Sequence, residues 1–311
     1  MQYFSHTLDF TIEEPSVITL GKFDGLHRGH ELLIQTMREQ SRARNLKTVV
    51  FTFDIPPRAS VENVDVRVIT TNPEKHQILD AIGLDYLVEC PFTPEVRSME
   101  PKRFITWMVE KLSVRCFVVG KDFCFGRNRS GNYKTLETYA KELGYEVIVL
   151  DKMMEDGRDI SSTFVREEIA AGHMAKANHL LGYPYFIEGV IVHGNQLGRT
   201  IGIPTINIMM PHDKVYPLFG VYASMVTIDN KKYYGVTNVG KKPTISDYNP
   251  IGIETYLIDF EEDVYGKSAK VEFMDFLRAE QRFDSVPDLQ EQMKKDIEKT
   301  REYYRNVTNL C

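Results

Sequence analysis

Two histidines three residues apart, in a glycine-flanked stretch, are the most chemically suggestive feature of the 311-residue chain: Gly21-Lys22-Phe23-Asp24-Gly25-Leu26-His27-Arg28-Gly29-His30. The stretch follows an apolar run, Val17–Leu20, and leads into a helical pattern over Glu31–Arg44. Glycines at such a turn let the backbone approach a ligand closely. The helix start adds free N–H groups and the positive end of a dipole, so phosphate is the group the turn suits. In nucleotidyl transfer an acceptor phosphate is itself the nucleophile, and the protein must stabilise the charge that develops; imidazole donors at a helix N-terminus can do that. A capping histidine beside a core histidine is the plainer alternative, and it suits a lone histidine better than a pair sharing one turn.

A second stretch, His193-Gly194-Asn195-Gln196-Leu197-Gly198-Arg199-Thr200-Ile201-Gly202-Ile203-Pro204-Thr205-Ile206-Asn207, joins a glycine-rich loop to a short polar pair. It could cradle a nucleotide and offer hard oxygen donors to a divalent cation. It is not a P-loop, because GxxxxGK[ST] is absent. Taken alone, Asn207 reads equally as a turn residue, and Glu254, in Ile253-Glu254-Thr255-Tyr256-Leu257, as a solvated strand carboxylate.

The elements that must position these groups alternate in the first half. Thr48–Phe53 is a buried-strand run. After it come a helical Glu74–Ile82, extended Tyr86–Glu89, helical Pro101–Leu112, extended Cys116–Val119, helical Lys134–Leu143 and extended Glu146–Leu150. Such alternation predicts an α/β unit with a parallel sheet covered by helices on both faces. Short helices over Thr163–Ala171 and Ala175–Leu181 end at Gly172 and Gly182, and the domain boundary is expected there, giving domains 1–182 and 183–311. Beyond it the runs are β-type: Ile187–Val192, Val221–Ile228, Lys232–Val236, Glu254–Leu257 and Lys270–Phe273. Asp229-Asn230 suits a hairpin turn between two of them, and the half reads as a small, mainly antiparallel β-barrel. Ser285–Tyr304 is predicted as a terminal helix with Ser285 as N-cap and Pro287 in its first turn.

Composition narrows the class. A formal charge of −6 disfavours a broad nucleic-acid surface, and no run reaches the roughly 18 apolar residues of a membrane span. Four cysteines, Cys90, Cys116, Cys124 and Cys311, show no metal-ligand spacing and no disulfide framework, so a reducing cytoplasm is expected.

The HxGH core of the first stretch resembles the signature of the nucleotidyltransferase superfamily. Its longer form FDGxHxGH resembles the FMN adenylyltransferase module of prokaryotic bifunctional riboflavin kinase/FAD synthetases. That resemblance implies a Rossmann-like domain in which His27 and His30 are catalytic and Gly21, Phe23, Asp24 and Gly25 contact nucleotide. Val119-Gly120-Lys121-Asp122-Phe123-Cys124-Phe125-Gly126-Arg127-Asn128-Arg129-Ser130-Gly131 looks like the family's flavin and nucleotide loop, implying flavin contacts from Asp122, Phe123, Phe125, Gly126 and Arg129. Ile160-Ser161-Ser162-Thr163-Phe164-Val165-Arg166 is similar to its SSTxxR motif, with Ser161, Ser162, Thr163 and Arg166 on the triphosphate; an N-cap at Ser162 or Thr163 can coexist with that role.

The second stretch resembles the GRxxGxPTxN signature of riboflavin kinases. By that resemblance Gly198, Arg199, Gly202 and Pro204 cradle ATP, Thr205 and Asn207 hold Mg²⁺ and the ATP phosphates, and Glu254 is the general base. Asn238, in Asn238-Val239-Gly240-Lys241-Lys242-Pro243-Thr244, and Arg278 line the flavin pocket, the plainer reading of Arg278 being an exposed helix-end charge. The chain departs from the family at Thr52-Phe53-Asp54-Ile55-Pro56-Pro57, where a TFxPHP-like segment would carry a histidine. The implied activity is conversion of riboflavin to FMN and of FMN to FAD, with ATP as co-substrate and Mg²⁺ as cofactor. Two other readings are a nucleotidyltransferase for another acceptor with a flavin-binding barrel, and a non-catalytic flavin-sensing or RNA-binding regulator. The PTxN segment with Glu254 weighs against the first, and the negative charge with the intact histidine pair against the second.

Overall fold

The computed structural model describes residues 1–54, 67–193, 202–241 and 251–308. The chain divides into two compact units, Met1–Ser162 and Thr163–Cys311. Among the described residues no helix is long and apolar enough to cross a membrane.

The first unit runs β1 (Gln2–Ser5), β2 (Ser16–Leu20), α1 (Arg28–Arg44), β3 (Lys47–Phe53), α2 (Asn72–Ile82), β4 (Tyr86–Cys90), α3 (Pro94–Ser98), α4 (Pro101–Leu112), β5 (Val114–Gly120), β6 (Cys124–Phe125), β7 (Gly131–Asn132), α5 (Tyr133–Leu143), β8 (Glu146–Leu150), β9 (Met154–Glu155) and β10 (Arg158–Asp159). Six strands form one parallel sheet in the order β1-β4-β3-β2-β5-β8. Alternation of side chains along each strand divides the core. Ile18, Leu20, Val49, Phe51, Phe117 and Val119 pack with Phe104, Ile105 and Met108 of α4 and Leu136 of α5. Val17, Val50 and Val118, equally buried, lie on the alternate face, where Ile34 and Met37 of α1 are enclosed. The expected two-faced α/β architecture is therefore present. Strand β1 was not legible, because Gln2-Tyr3-Phe4-Ser5 has no strong apolar pattern; it needs only one partner, pairing with β4 from Gln2↔Tyr86 to Ser5↔Glu89.

The second unit contains α6 (Ser162–Ala171, whose first residue closes the first unit), α7 (Met174–Leu181), β11 (Phe186–Val192), β12 (Thr205–Met209), β13 (Gly220–Ile228), β14 (Lys231–Lys241), β15 (Ile251–Leu257), β16 (Ser268–Ala279) and α8 (Val286–Thr308). The strands close into a barrel, β11-β12-β15-β14-β13-β16, with antiparallel neighbours throughout. Asp229 and Asn230 take φ of 49° and 65° between β13 and β14, the left-handed pair that a tight hairpin demands. Strands β14 and β16 run well past the expected Lys232–Val236 and Lys270–Phe273. Polar residues such as Asn238, Asp275 and Arg278 hide the continuation, which is imposed by the neighbouring strands.

Helix α8 starts where the sequence suggested, with the Asp288 N–H donating to Ser285 Oγ at 3.3 Å. Its Ile297 packs on the cluster of Val221, Val236 and Ile258, so it covers the outside of the barrel. The barrel's inner face carries a satisfied hydroxyl chain: Ser224 to Thr237 at 2.7 Å and Thr237 to Thr255 at 2.9 Å, all fully buried.

The boundary between compact units falls near residue 162, whereas the sequence placed it after residue 182. The reason is that α6 and α7 are tied into the barrel. Asn178 Nδ2 donates to the Phe273 carbonyl (2.8 Å) and its Oδ1 accepts from the Tyr185 N–H (2.7 Å). Met174, Ala177, Leu180 and Leu181 are at most 1% exposed. Burying three large side chains of this kind contributes about 4.5–9 kcal/mol, comparable with the whole stability of a domain, about 5–15 kcal/mol. We therefore expect a fragment of residues 163–311 to fold with a cooperative melt, and a fragment of residues 183–311 to be largely unfolded at 25 °C. Far-UV circular dichroism of both fragments checks this, and equal melting temperatures would refute it.

Candidate active sites

The parallel sheet changes direction at β2. From β2 the chain steps to β3 and β4 on one side, then returns to β5 on the other. Loops leaving the carboxyl ends of β2 and β5 flank the resulting crevice, where open α/β sheets receive ligands. These loops are Gly21–His27 and Lys121–Ser130, so topology alone brings two of the sequence-selected segments to one place.

The first loop is held tightly. Phe23 and Leu26 adopt φ of 47° and 40°, and Gly25 adopts 81°. A left-handed non-glycine residue costs about 1–3 kcal/mol; Phe23 is fully buried and Leu26 nearly so, and each enclosure returns about 1.5–3 kcal/mol. The Phe23 ring packs under Gly21 and lies 5.1 Å from the His30 ring. That side chain anchors the turn, leaving its backbone as the part able to meet a nucleotide. Asp24 is also turned inward: its Oδ1 accepts the N–H groups of Ile69 (2.7 Å) and Thr70 (3.2 Å). The Gly25 N–H donates to Thr70 Oγ1 at 3.0 Å, and the Ser162 hydroxyl donates to the Asp24 carbonyl at 2.9 Å. Asp24 and Ser162 thus brace the turn, a structural task beside the nucleotide contact expected of them.

His27 is the N-cap of α1 by backbone, its carbonyl accepting from the N–H groups of His30 (2.7 Å) and Glu31 (3.0 Å), and makes no side-chain cap. The capping alternative is therefore met only by its main chain. The two imidazoles stack with centroids 3.8 Å apart and planes 19° apart. A Cβ on Gly29 would sit 3.2 Å from the His27 ring, which explains glycine between the histidines. Burial, with His27 alongside, holds the His30 imidazole well below its ordinary 6.5, so it is neutral at physiological pH. Its Nδ1 is buried with no hydrogen-bond partner.

In the second loop Phe123 and Phe125 stack at 5.4 Å. Phe125 is buried against Phe104, 5.5 Å away, and packs on Gly131, so it supports the loop while the half-buried Phe123 presents a ring. Gly126, at φ 71°, crosses closely over Pro101. Asp122 is exposed and paired with Lys152 (3.2 Å), and Arg129 is exposed. Ser161 and Ser162 end the first unit, while Thr163 and Arg166 lie on α6 and open the second.

On the barrel, strand register assembles residues that are far apart in sequence. Asn207 of β12 stands opposite Glu254 of β15, Glu254 opposite Asn238 of β14, Asn238 opposite Val221 of β13, and Val221 opposite Arg278 of β16. Directly opposed residues share a face with Cβ atoms about 4.5–5.5 Å apart. Four selected residues therefore lie in one row across five adjacent strands. Val221 also touches the α8 cluster, so the row is on the barrel's outer face. Thr205 Oγ1 donates to Glu254 Oε1 at 2.6 Å. Glu254 is thus an oriented carboxylate, and Asn207, only 6% exposed, is a strand residue and not a turn.

Arg278 belongs to a strand, which corrects its reading as a helix-end charge. It forks onto Asp296 of α8 through Nε and Nη2 (2.7–3.1 Å), with Asp296 also accepting from Gln292 (2.9 Å). Asn238 Nδ2 donates to Glu280 at 3.3 Å. Gly202, at φ 78°, and Pro204 are exposed ahead of β12. Gly198, Arg199, Lys242–Thr244 and Ile55–Pro57 lie outside the described residues.

Comparison with known proteins matches both halves of the chain. A family model for FAD synthetase matches residues 9–164, and one for riboflavin kinase matches residues 181–304. A curated bifunctional riboflavin kinase/FMN adenylyltransferase from Listeria monocytogenes is 33% identical over 309 residues, 98% of each chain. Its Escherichia coli K12 counterpart is 36% identical over 303 residues, 96% of each. The chain belongs to the bifunctional riboflavin kinase/FMN adenylyltransferase family. A solved Streptococcus pneumoniae structure, described as a macrolide-efflux protein, shares the fold at a TM-score of 0.87 with 31% identity, covering 96% of this chain and 98% of that one.

Some residues around the family's FDGxHxGH turn were missed by sequence reasoning: Ile69 and Thr70, which receive Asp24, and the buried pair Lys75–Glu89. The only available signal was the capping box of α2, Thr71 with Glu74, which marks where that helix starts but not what it touches.

Proposed function

We propose that the chain makes FMN and then FAD at two separate sites, using ATP for both. The observation that carries this reading is the cross-strand row Asn207–Glu254–Asn238–Arg278, paired with the stacked histidines at the sheet's switch point.

At the barrel, Glu254 is the base for the riboflavin 5′-hydroxyl. Its carboxylate takes the proton while the oxygen bonds to the γ-phosphorus of ATP; the bond to the β–γ bridging oxygen breaks and ADP leaves. Thr205 orients the carboxylate through a hydrogen bond to one of its oxygens. Thr205 and Asn207 supply hydroxyl and amide oxygens beside this single carboxylate, a donor set that fits Mg²⁺ shared with nucleotide phosphates. When bound, the ion neutralises phosphate charge. Asn238 and Arg278 bound the flavin side, with Arg278 held by Asp296.

At the turn, an FMN phosphate oxygen attacks the α-phosphorus of ATP, and pyrophosphate departs with the α–β bridging oxygen. His27 and His30 donate to the phosphate oxygens as charge develops. Ser161, Ser162, Thr163 and Arg166 serve the triphosphate, and Phe123, Asp122 and Arg129 the flavin. The four cysteines, with no metal-ligand spacing and no disulfide framework, support a reducing cytosol as the enzyme's compartment.

Incubation with riboflavin, ATP and Mg²⁺, followed by chromatography, should give FMN first and then FAD with pyrophosphate. FAD from added FMN without conversion of riboflavin would leave the nucleotidyltransferase with a flavin-binding barrel as the better reading.

A further inference from the structure

The Gly21–His30 turn is gripped from a distance by a segment to which neither signature assigns a role. Thr70, 4% exposed, accepts the Gly25 N–H on its hydroxyl (3.0 Å) and gives its own N–H to the Asp24 carboxylate (3.2 Å); Ile69 gives a second N–H (2.7 Å). Gly25 and Asp24 lie between two left-handed non-glycine residues, Phe23 and Leu26, and the His27 cap follows at once. A backbone bent this way persists only when its surroundings over-determine it.

The gripping segment is itself anchored in the sheet. Thr71 and Glu74 form the capping box that starts α2. One residue on, Lys75 Nζ meets Glu89 Oε1 of β4 at 3.1 Å, with both side chains at most 5% exposed, and Tyr3 of β1 donates to the other Glu89 oxygen. Burial and that carboxylate push the Tyr3 phenol up to about 12, so it remains a donor. A buried ion pair adds little net stability, but losing one partner leaves an uncompensated charge, so it enforces position. Residues 69–75 therefore form a strut from the sheet to the turn.

We infer that Thr70 is a positioning residue for adenylyl transfer, setting the turn so that His27 and His30 meet the reacting phosphates. This rests on reading that turn as the adenylyl-transfer site. Thr70→Val keeps the side-chain shape but leaves the Gly25 N–H without its acceptor, while Thr70→Ser keeps the hydroxyl. In the full chain, Thr70→Val should lower kcat for FMN-to-FAD conversion about tenfold, since small misplacements of catalytic groups are expensive. KM for FMN should hold, and riboflavin phosphorylation by the same chain should stay within about twofold, as should kcat for Thr70→Ser. Unchanged kcat in Thr70→Val, an equal loss of phosphorylation, or failure of serine to restore the rate would each overturn the inference. Failure of the unaltered chain to make FAD from FMN would instead remove the reading beneath it.

Discussion

His30→Ala is expected to lower FAD formation from FMN by about 100-fold or more while leaving riboflavin phosphorylation intact, because it removes a charge-stabilising donor from one site only. The ring is neutral in the fold, held there by burial and by His27. A triphosphate brought against it has the opposite effect, since nearby negative charge favours imidazolium. The substitution should also change the pH dependence of stability. A group whose folded pKa lies below its unfolded value contributes fully above the unfolded value, here 6.5, and loses that contribution as pH falls toward the depressed one. Thermal melts between pH 7.5 and 5 should therefore fall less steeply for His30→Ala than for the unaltered protein. The rate measurement decides the catalytic claim: equal losses in FMN and FAD formation would mean a global defect, and the assignment would fail.

Glu254→Gln should do the reverse, reducing FMN formation by about 100-fold or more and sparing conversion of FMN to FAD. Glutamine matches the shape of glutamate, and its carbonyl oxygen can still accept the Thr205 hydroxyl, so the 2.6 Å contact need not be lost. What it lacks is an oxygen able to take a proton at neutral pH. Steady-state assays of each reaction, with FMN added for the second, separate the outcomes. A glutamine variant that still phosphorylates riboflavin normally would show that the proton leaves by another route.

Much of this was legible because the decisive signals are local. A run of β-branched and aromatic residues such as Thr48–Phe53 announces a buried strand, and glycine just past a helical stripe announces its end. The FDGxHxGH and PTxN stretches were readable for the same reason: each places its chemistry within a few residues. What escaped was long-range. Thr70 reaches Gly25 across 45 residues, and Lys75 reaches Glu89 in the middle of an apolar strand, where sequence gives only composition. The plainer alternative for Arg278, an exposed helix-end charge, fails, but sequence does not show it, because its partner, Asp296, looks like one more surface carboxylate of a polar helix until packing encloses it to 1% exposure. That the compact units divide near residue 162 was not legible, because Gly182 ends a helix without revealing that α7 rests on the barrel.

Closure of the barrel has a further consequence. An open sheet can relieve a misaligned strand at its free margin, whereas a ring has none. A one-residue slip anywhere would turn a whole strand inside out and break two ladders at once. Asn207, Glu254, Asn238 and Arg278 are each seated at a definite rung of that ring. Changes in an exposed hairpin such as Asp229-Asn230 therefore have no easy route to them. The rim of such a ring can lengthen or change while its rungs keep their alignment, a tolerance that no single residue supplies.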